Sequence, residues 1–402
     1  MTSNFSVRHN ACLWPLSTYG TAFSNLEIDT NVWSVIFPDK NASDIETRSA
    51  GEGARCGSCS LTFLVVLTMA WPAWAQGTKP KTLDELVSYT GPDRQKIITE
   101  GAKAEGKVVW YTSLSGNYRE IVDAFKKKYP EIQVEVYRAG SSDVTERLLN
   151  EGRAGRYLAD AMETTPGSLM LLRENGILKP YASPELAKYP EEAKTKADGS
   201  RVYWVTDREA YLGFGYNTRM ISSTQVPKTF QDLLRPDLKG KLAVTTGSSS
   251  ARVIGSMLKY KGDGFMKKLK DQEVRLFKLA SLGFLNLLIA GEIAGSPTVF
   301  RNQVVVMKEK GAPIDWVPLD VVVANAGGSA IIANAPHPHA ALLLTDFVIG
   351  AEGQKLMEQF RYGVAWKEYP FKREYPERGM TTAQYQDAEE KWSQLLRSIT
   401  QR

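Results

Sequence analysis

Lys107 to Ser142 runs KVVWYTSLSGNYREIVDAFKKKYPEIQVEVYRAGSS, and this stretch decides the fold class. Val108-Val109-Trp110-Tyr111 is a short apolar run of strand type, and Thr112 to Asn117 is a polar turn. Ile121, Val122, Phe125 and Tyr129 then recur at helical spacing until Pro130 stops the helix. Val134 to Tyr137 is a second strand, and Ala139-Gly140-Ser141-Ser142 a second turn. Strand, Ser/Gly-rich turn and helix in that order predict an α/β fold with a largely parallel sheet and helices on its faces. Ligands of such sheets bind beyond the carboxyl ends of the strands, where the turns lie.

Toward the C-terminus the unit repeats. Ala159 to Met162 is a third strand, feeding Thr164-Thr165-Pro166 and a helix through Leu169 and Leu172. Ser113, Ser115, Ser141, Ser142, Thr164 and Thr165 are thereby placed along one rim. Tyr211 to Tyr216 (YLGFGY) alternates large apolar residues with glycine, like a strand running between two bodies. The rhythm restarts with Leu242-Ala243-Val244, the polar turn TTGSSS (Thr245 to Ser250) and a helix from Arg252. Val274 to Ile293 is expected to be mostly helical. Val317 to Ala324 is extended, Ala330-Ile331-Ile332 a further strand, and Pro338 to Phe347 an apolar helix. No internal repeat or low-complexity tract interrupts this order.

Toward the N-terminus the character changes. Leu61 to Ala70 (LTFLVVLTMA) is too short to span a bilayer, which takes about 20 residues. It fits the apolar region of a signal peptide, with Arg55 before it and Ala73 and Ala75 at −3 and −1 of a cut. Residues 1–75 are therefore expected to be a leader, cleaved after Ala75, with export to the periplasm. No Met occurs between Met1 and Met69, so a downstream non-AUG start is a hypothesis that N-terminal sequencing of the precursor checks. Cys12, Cys56 and Cys59 all lie in the leader, and CGSC lacks the second pair of a zinc site. The chain as a whole has 50 Lys and Arg against 45 Asp and Glu. Removing the leader's four bases and six acids leaves 46 against 39, a formal +7. That is too mild to imply nucleic-acid binding.

From Gly106 to about Phe360 the text resembles the periplasmic solute-binding proteins of ABC importers, extracellular family 1, on the side that includes ferric-ion-binding proteins. The matching pieces are GKVVWYTS, DAFKKKYPEIQVE, LLRENGILKPY, GFGYNTRMI, VPKTFQDLLRPDLKGKLAV, KEKGAPIDWVPL and NAPHPHAALLLTDFVIGAEGQKL, in that order. The resemblance implies a type 2 periplasmic-binding fold. Two α/β lobes, each a sheet flanked by helices, are joined by two crossing strands and close on a solute like a hinge. It implies one discontinuous lobe from residues 107–209 plus 320–402, a second lobe from 216–319, and crossings at YLGFGY and near Val321. The implied partners are a small-molecule solute and a membrane permease, with the protein itself expected as a monomer.

Iron-binding members hold the metal with adjacent tyrosines near a strand-to-helix junction of the second lobe. Here that junction reads Ser296-Pro297-Thr298-Val299-Phe300-Arg301-Asn302, and no Tyr-Tyr pair exists in the chain. No metal and no cofactor is expected, and a ferric carrier using other oxygen ligands is the alternative reading. His337 and His339 sit in a Pro-rich turn and are expected to be structural.

Three Ser/Thr-rich turns open helices on the rims, around Ser113 and Ser115, Ser141 and Ser142, and Ser248 and Ser249. Free N–H groups and the positive helix end favour carboxylate, phosphate or sulfonate groups, though serine is also an ordinary N-cap. Arg208 and Glu209 precede the first crossing, where a guanidinium would fork onto a carboxylate and a carboxylate would take an ammonium, with a solvated surface pair or an internal salt bridge as the alternative. Arg252 and Arg138 are further cationic candidates. Thr298 and Phe300 belong to the junction, and Trp204, Tyr211 and Phe300 offer an aromatic wall, though core packing is the expected role of any one of them. The expected ligand set is thus Ser113, Ser115, Ser141, Ser142, Thr164, Arg208, Glu209, Ser248, Ser249, Arg252, Thr298 and Phe300. No GxSxG, P-loop, HExxH or cysteine nucleophile follows the leader, so an enzyme on this fold is the weaker alternative. The expected function is capture of a small anionic or zwitterionic solute for an ABC permease.

Overall fold

The computed structural model describes residues 80, 82–114 and 117–400. The expected cleavage site, the cysteines and Ser115 lie outside these residues. No helix among the described residues is long and apolar enough to cross a membrane.

Two helices lead in. Helix α1 (Leu83–Ser88) opens on a capping box, in which the Glu85 N–H donates to Thr82 Oγ1 and the Glu85 carboxylate takes the Thr82 N–H. Helix α2 (Arg94–Glu105) buries Ile98 and Ala102 and ends at Gly106, whose φ of 69° is the left-handed C-cap that glycine supplies. The expected rhythm follows: β1 (Lys107–Thr112), α3 (Tyr118–Lys128), β2 (Gln133–Arg138), α4 (Ser141–Arg153), β3 (Ala161–Thr164) and α5 (Pro166–Glu174). Helix α3 buries Ile121 and Phe125 and carries Lys126, Lys127 and Lys128 in its last turn, where cations complement the helix dipole. β1 pairs in parallel with β2 and with β3, so the turns before α4 and α5 share one edge of the sheet.

After the short strands β4 (Leu178–Lys179) and β5 (Lys194–Lys196) comes β6 (Val202–Asn217), sixteen residues long and buried at every position except Tyr203. The following elements are β7 (Ala243–Thr245), α6 (Ser248–Lys270, broken at Gly262), β8 (Arg275–Phe277), α7 (Ser281–Ala290), β9 (Gly295–Phe300), α8 (Arg301–Glu309) and β10 (Ile314–Val317). The stretch read as mostly helical from Val274 therefore starts as a strand, because Arg275 to Phe277 pair in parallel with Ala243 to Thr245. The chain ends with β11 (Val322–Ile332), α9 (Pro338–Ile349), α10 (Ala351–Gln359), β12 (Arg373–Glu374) and α11 (Thr382–Thr400).

The two stretches expected near Val321 and Ala330 are one strand, β11. It runs antiparallel to β6, and both extend past the parallel set. At its far end β11 pairs with β3, whereas the far end of β6 pairs with β9 and β10. The sheet is consequently mixed, in the order β10-β6-β11-β3-β1-β2, and less parallel than the strand-turn-helix pattern implied. Between Gly327 and Gly328 the register slips, so that Thr206 and Arg208 are paired while Asp207 is the extra, bulged residue.

The apolar core divides accordingly. One cluster surrounds β1 to β3 and the inner face of α9, with Val108, Phe125, Leu169 and Ile331. Another surrounds the far half of β6 and α6, with Phe214, Val253, Ile254 and Met257. Helix α11 contributes to both, Tyr385 to the first and Leu396 and Ile399 to the second.

The two late histidines are structural in their contacts. His337 Nδ1 lies 2.9 Å from buried Asp160, and His339 Nδ1 lies 2.7 Å from Glu105, tying α9 to β3 and α2.

Candidate functional site

A cavity of about 630 Å³ opens between the first turns of α4, α5 and α6. Helices α4 and α5 follow strands of the first core, and α6 belongs to the second, so both bodies contribute walls. Ser141 and Ser142 are the first two residues of α4, Thr165 and Ser168 belong to the start of α5, and Ser248 and Ser249 open α6. None of these three helices has a side-chain cap hydrogen bond. Their leading N–H groups and hydroxyls are donors without intrahelical acceptors, which suits an anionic group.

The floor is Asn325 of β11, whose Oδ1 accepts from Arg252 at 2.7 Å. The third wall comes from α11, through Tyr385, Gln386 and Glu389. A Cβ on Gly167 would stand 2.5 Å from Tyr385 Cε1, so the glycine in the first turn of α5 is what admits this ring. Burial pushes the Tyr385 phenol up to about 12, while Arg252 and a hydrogen bond with Ser248 pull the other way.

Of the residues singled out in the sequence, Ser141, Ser142, Thr165, Ser248 and Ser249 line this cavity. Thr164 ends β3 next to it, fully buried, with its Oγ1 unpartnered among the described residues. Ser113 sits at the end of β1, where its N–H donates to a Glu163 carboxylate oxygen at 3.1 Å. Thr298 is inside β9, its Oγ1 3.1 Å from Ser296 Oγ. Phe300 ends β9 and packs against both cores. Arg138 donates to the Leu114 carbonyl at 3.2 Å. Trp204 and Tyr211 are buried in the cores, as packing residues.

The charged candidates are committed elsewhere. Arg208 is buried and paired with Glu163 at 2.7 Å. The buried Glu209 carboxylate accepts from Tyr211 Oη at 2.5 Å, from Arg373 Nη1 at 2.9 Å and from Tyr375 Oη. Arg252 is buried and donates to Glu377 at 2.5 Å, to the Ala324 carbonyl at 3.1 Å and to Asn325. Each of these networks ties a crossing strand or α6 to a partner inside the protein. Sequence reasoning passed over Ser168, Asn325 and all of α11. Only the Thr165-Pro166 helix start was visible as a signal.

Residues 107–362 match the model of the bacterial extracellular solute-binding proteins. The chain belongs to that family. Its members serve as periplasmic solute-binding components of ABC importers, and so does this chain. A Fe(3+)-binding periplasmic protein of Serratia marcescens is 22% identical over 282 residues, 66% of this chain and 81% of that one. An uncharacterized protein of Haemophilus influenzae is 24% identical over 289 residues, covering 67% and 78%. Among solved structures, iron-bound HitA from Pseudomonas aeruginosa superimposes with a TM-score of 0.57 at 20% identity, covering 73% of this chain and 99% of that one. AfuA from Actinobacillus pleuropneumoniae, with exogenous fructose-6-phosphate bound, gives 0.59 at 20% identity and the same coverage. The fold of this solute-binding protein is thus the two-lobed, type 2 one. The family and these neighbours are binding proteins. The family match stops at Tyr362, ahead of β12 and α11.

Proposed function

We propose that the chain captures a small organic anion or zwitterion in the cavity between α4, α5 and α6, releases it unchanged and performs no catalysis. The supporting observation is that paired serines from both cores open helices onto one cavity, Ser141 and Ser142 facing it from one side and Ser248 and Ser249 from the other. Lobes spanning residues 107–209 plus 320–402 and 216–319 would close on the solute about β6 and β11, the continuous connections between the two cores. A monomer exported by cleavage after Ala75 would then hand the solute to its permease.

Iron is the second reading, because one relative is named for Fe(3+), two neighbours hold iron and two more are named ferric binding proteins. Against it, Phe300 at the head of α8 offers no phenolate oxygen. Among the described residues no group of three or more His, Cys, Asp or Glu is placed to hold a metal ion. AfuA, with a sugar phosphate bound, favours an organic anion.

A ligand that binds only the folded state raises the melting temperature by mass action. A thermal-shift screen across carboxylates, phosphonates, sugar phosphates, polyamines, thiamine-like compounds and Fe(III) should therefore give shifts with organic anions or zwitterions. A shift with Fe(III) alone would sink the proposal.

A further inference from the structure

We propose that Glu389 of α11 is a specificity residue, selecting a solute that carries a positively charged nitrogen beside its anionic group. This rests on the reading of the α4–α5–α6 cavity as the solute site, and it narrows the ligand from anion or zwitterion to zwitterion.

Three observations support it. Tyr385 and Glu389 are one helical turn apart and both line the cavity, so α11 turns one face into it. The position of that face is fixed, because the Tyr385 ring fills the notch at Gly167 and the helix continues along α6, where Trp392 lies over Gly255. Glu389 is itself half-buried, yet it makes no ion pair or hydrogen bond among the described residues.

The cations nearby do not answer it. Arg252 feels its charge, but its guanidinium is taken up by Glu377, Asn325 and the Ala324 carbonyl. Arg153 is exposed and reaches Asn150 at 3.4 Å. Glu146 of α4, also on the cavity and also without an ion pair, adds a second negative charge. A partly buried carboxylate with no ion pair of its own repels a purely anionic guest and rewards one that brings an ammonium or amidinium. The serine-lined helix starts of the same cavity suit the guest's anionic end.

The test is calorimetric titration of the mature chain with matched pairs of probes. One series is ω-amino carboxylates from glycine through β-alanine to aminohexanoate with the corresponding aminosulfonates. The other is the same chains without the amine. Amine-bearing probes should bind about tenfold or more tightly than their partners, the order expected for one charge-assisted hydrogen bond. Glu389→Gln should erase that preference, and Glu389→Asp should keep it with weaker binding. Glu390→Gln, on the exposed neighbour that pairs with Arg397, should change neither. Ligand-free melting curves of all three variants check that they are folded. Equal binding of the two series, or a preference that survives in Glu389→Gln, overturns the role of Glu389 while leaving the cavity as the anion site. Binding of neither series overturns the cavity reading itself.

Discussion

Arg208 and Glu163 meet at 2.7 Å across β11, one from β6 and the other from β3, with side chains 6% and 0% exposed. The strand between them lets them through at Gly327, where a Cβ would lie 2.6 Å from Glu163 Oε1 and 2.8 Å from Arg208 Cζ. The other oxygen of Glu163 accepts from Thr112 Oγ1 at 2.7 Å and from the Ser113 N–H. The arginine that a linear reading leaves between ligand contact and internal salt bridge is thus a brace between β6 and β3. Removing it leaves a buried carboxylate unpaired, and such losses cost about 3–5 kcal/mol. Arg208→Ala should therefore lower unfolding stability by that order in urea titration, and wild-type stability would reject the brace.

The bulged Asp207 sets a pH dependence. Burial and then the Glu163 charge push its carboxyl up to about 7, against the pull of Arg208 and Ser329. Unfolded, the same group titrates near 3.8, so between these values the folded state holds the extra proton. Stability from this group is accordingly fullest at low pH, falls as pH rises through that window, and levels off above it. Unfolding free energies at about pH 5 and about pH 8 should differ in that direction, and Asp207→Asn should flatten the difference. An unchanged slope in the variant would show that other groups govern it.

The sequence made the first core legible because β1, α3, β2 and α4 are local. Their short strand runs and helical patterns follow one another within Lys107 to Arg153, and the structure keeps that order. Half of the cavity was legible for the same reason, since Ser141, Ser142, Ser248 and Ser249 read as turn residues that lead into helices. What stayed hidden is non-local. Whether Arg208 faces a ligand or Glu163 depends on a partner 45 positions away and on a register slip opposite Gly327. Tyr385 enters the cavity only because Gly167, far up the chain, leaves room for its ring.

Cavity serines should matter for affinity and little for stability. Ser248 is exposed at the start of α6 and lines the cavity with Ser249 and with Ser141 and Ser142 of α4. A hydrogen bond to a charged group is worth about 1.5–3 kcal/mol, or roughly tenfold and upward in Kd. Ser141→Ala and Ser248→Ala should each weaken the solute found by thermal shift to that extent in calorimetry. Unaltered affinity in both would place the anion elsewhere.

The segment beyond the family match holds the two cores together, and its removal should be severe. The Tyr375 phenol and Arg373 satisfy Glu209 on β6, Glu377 neutralises Arg252 on α6, and Glu374 accepts from Lys259 and Tyr260, each at 2.7 Å. Helix α11 then lies along α6 with Trp392 over Gly255, where a Cβ would come within 2.7 Å of the indole nitrogen. A chain ending at Tyr362 leaves Glu209 and Arg252 buried without these partners, each an uncompensated charge of the kind that costs several kcal/mol. It should fail to give a cooperative urea transition. Gly255→Ala is the milder probe: it keeps the chain whole and displaces only the indole, an overpacking change of about 1–3 kcal/mol. Trp392 should then become more solvent-exposed, read as a red shift in tryptophan emission and faster proteolysis within Thr382–Thr400. A stable, cooperatively folding truncation would show that the two cores hold their arrangement without this segment.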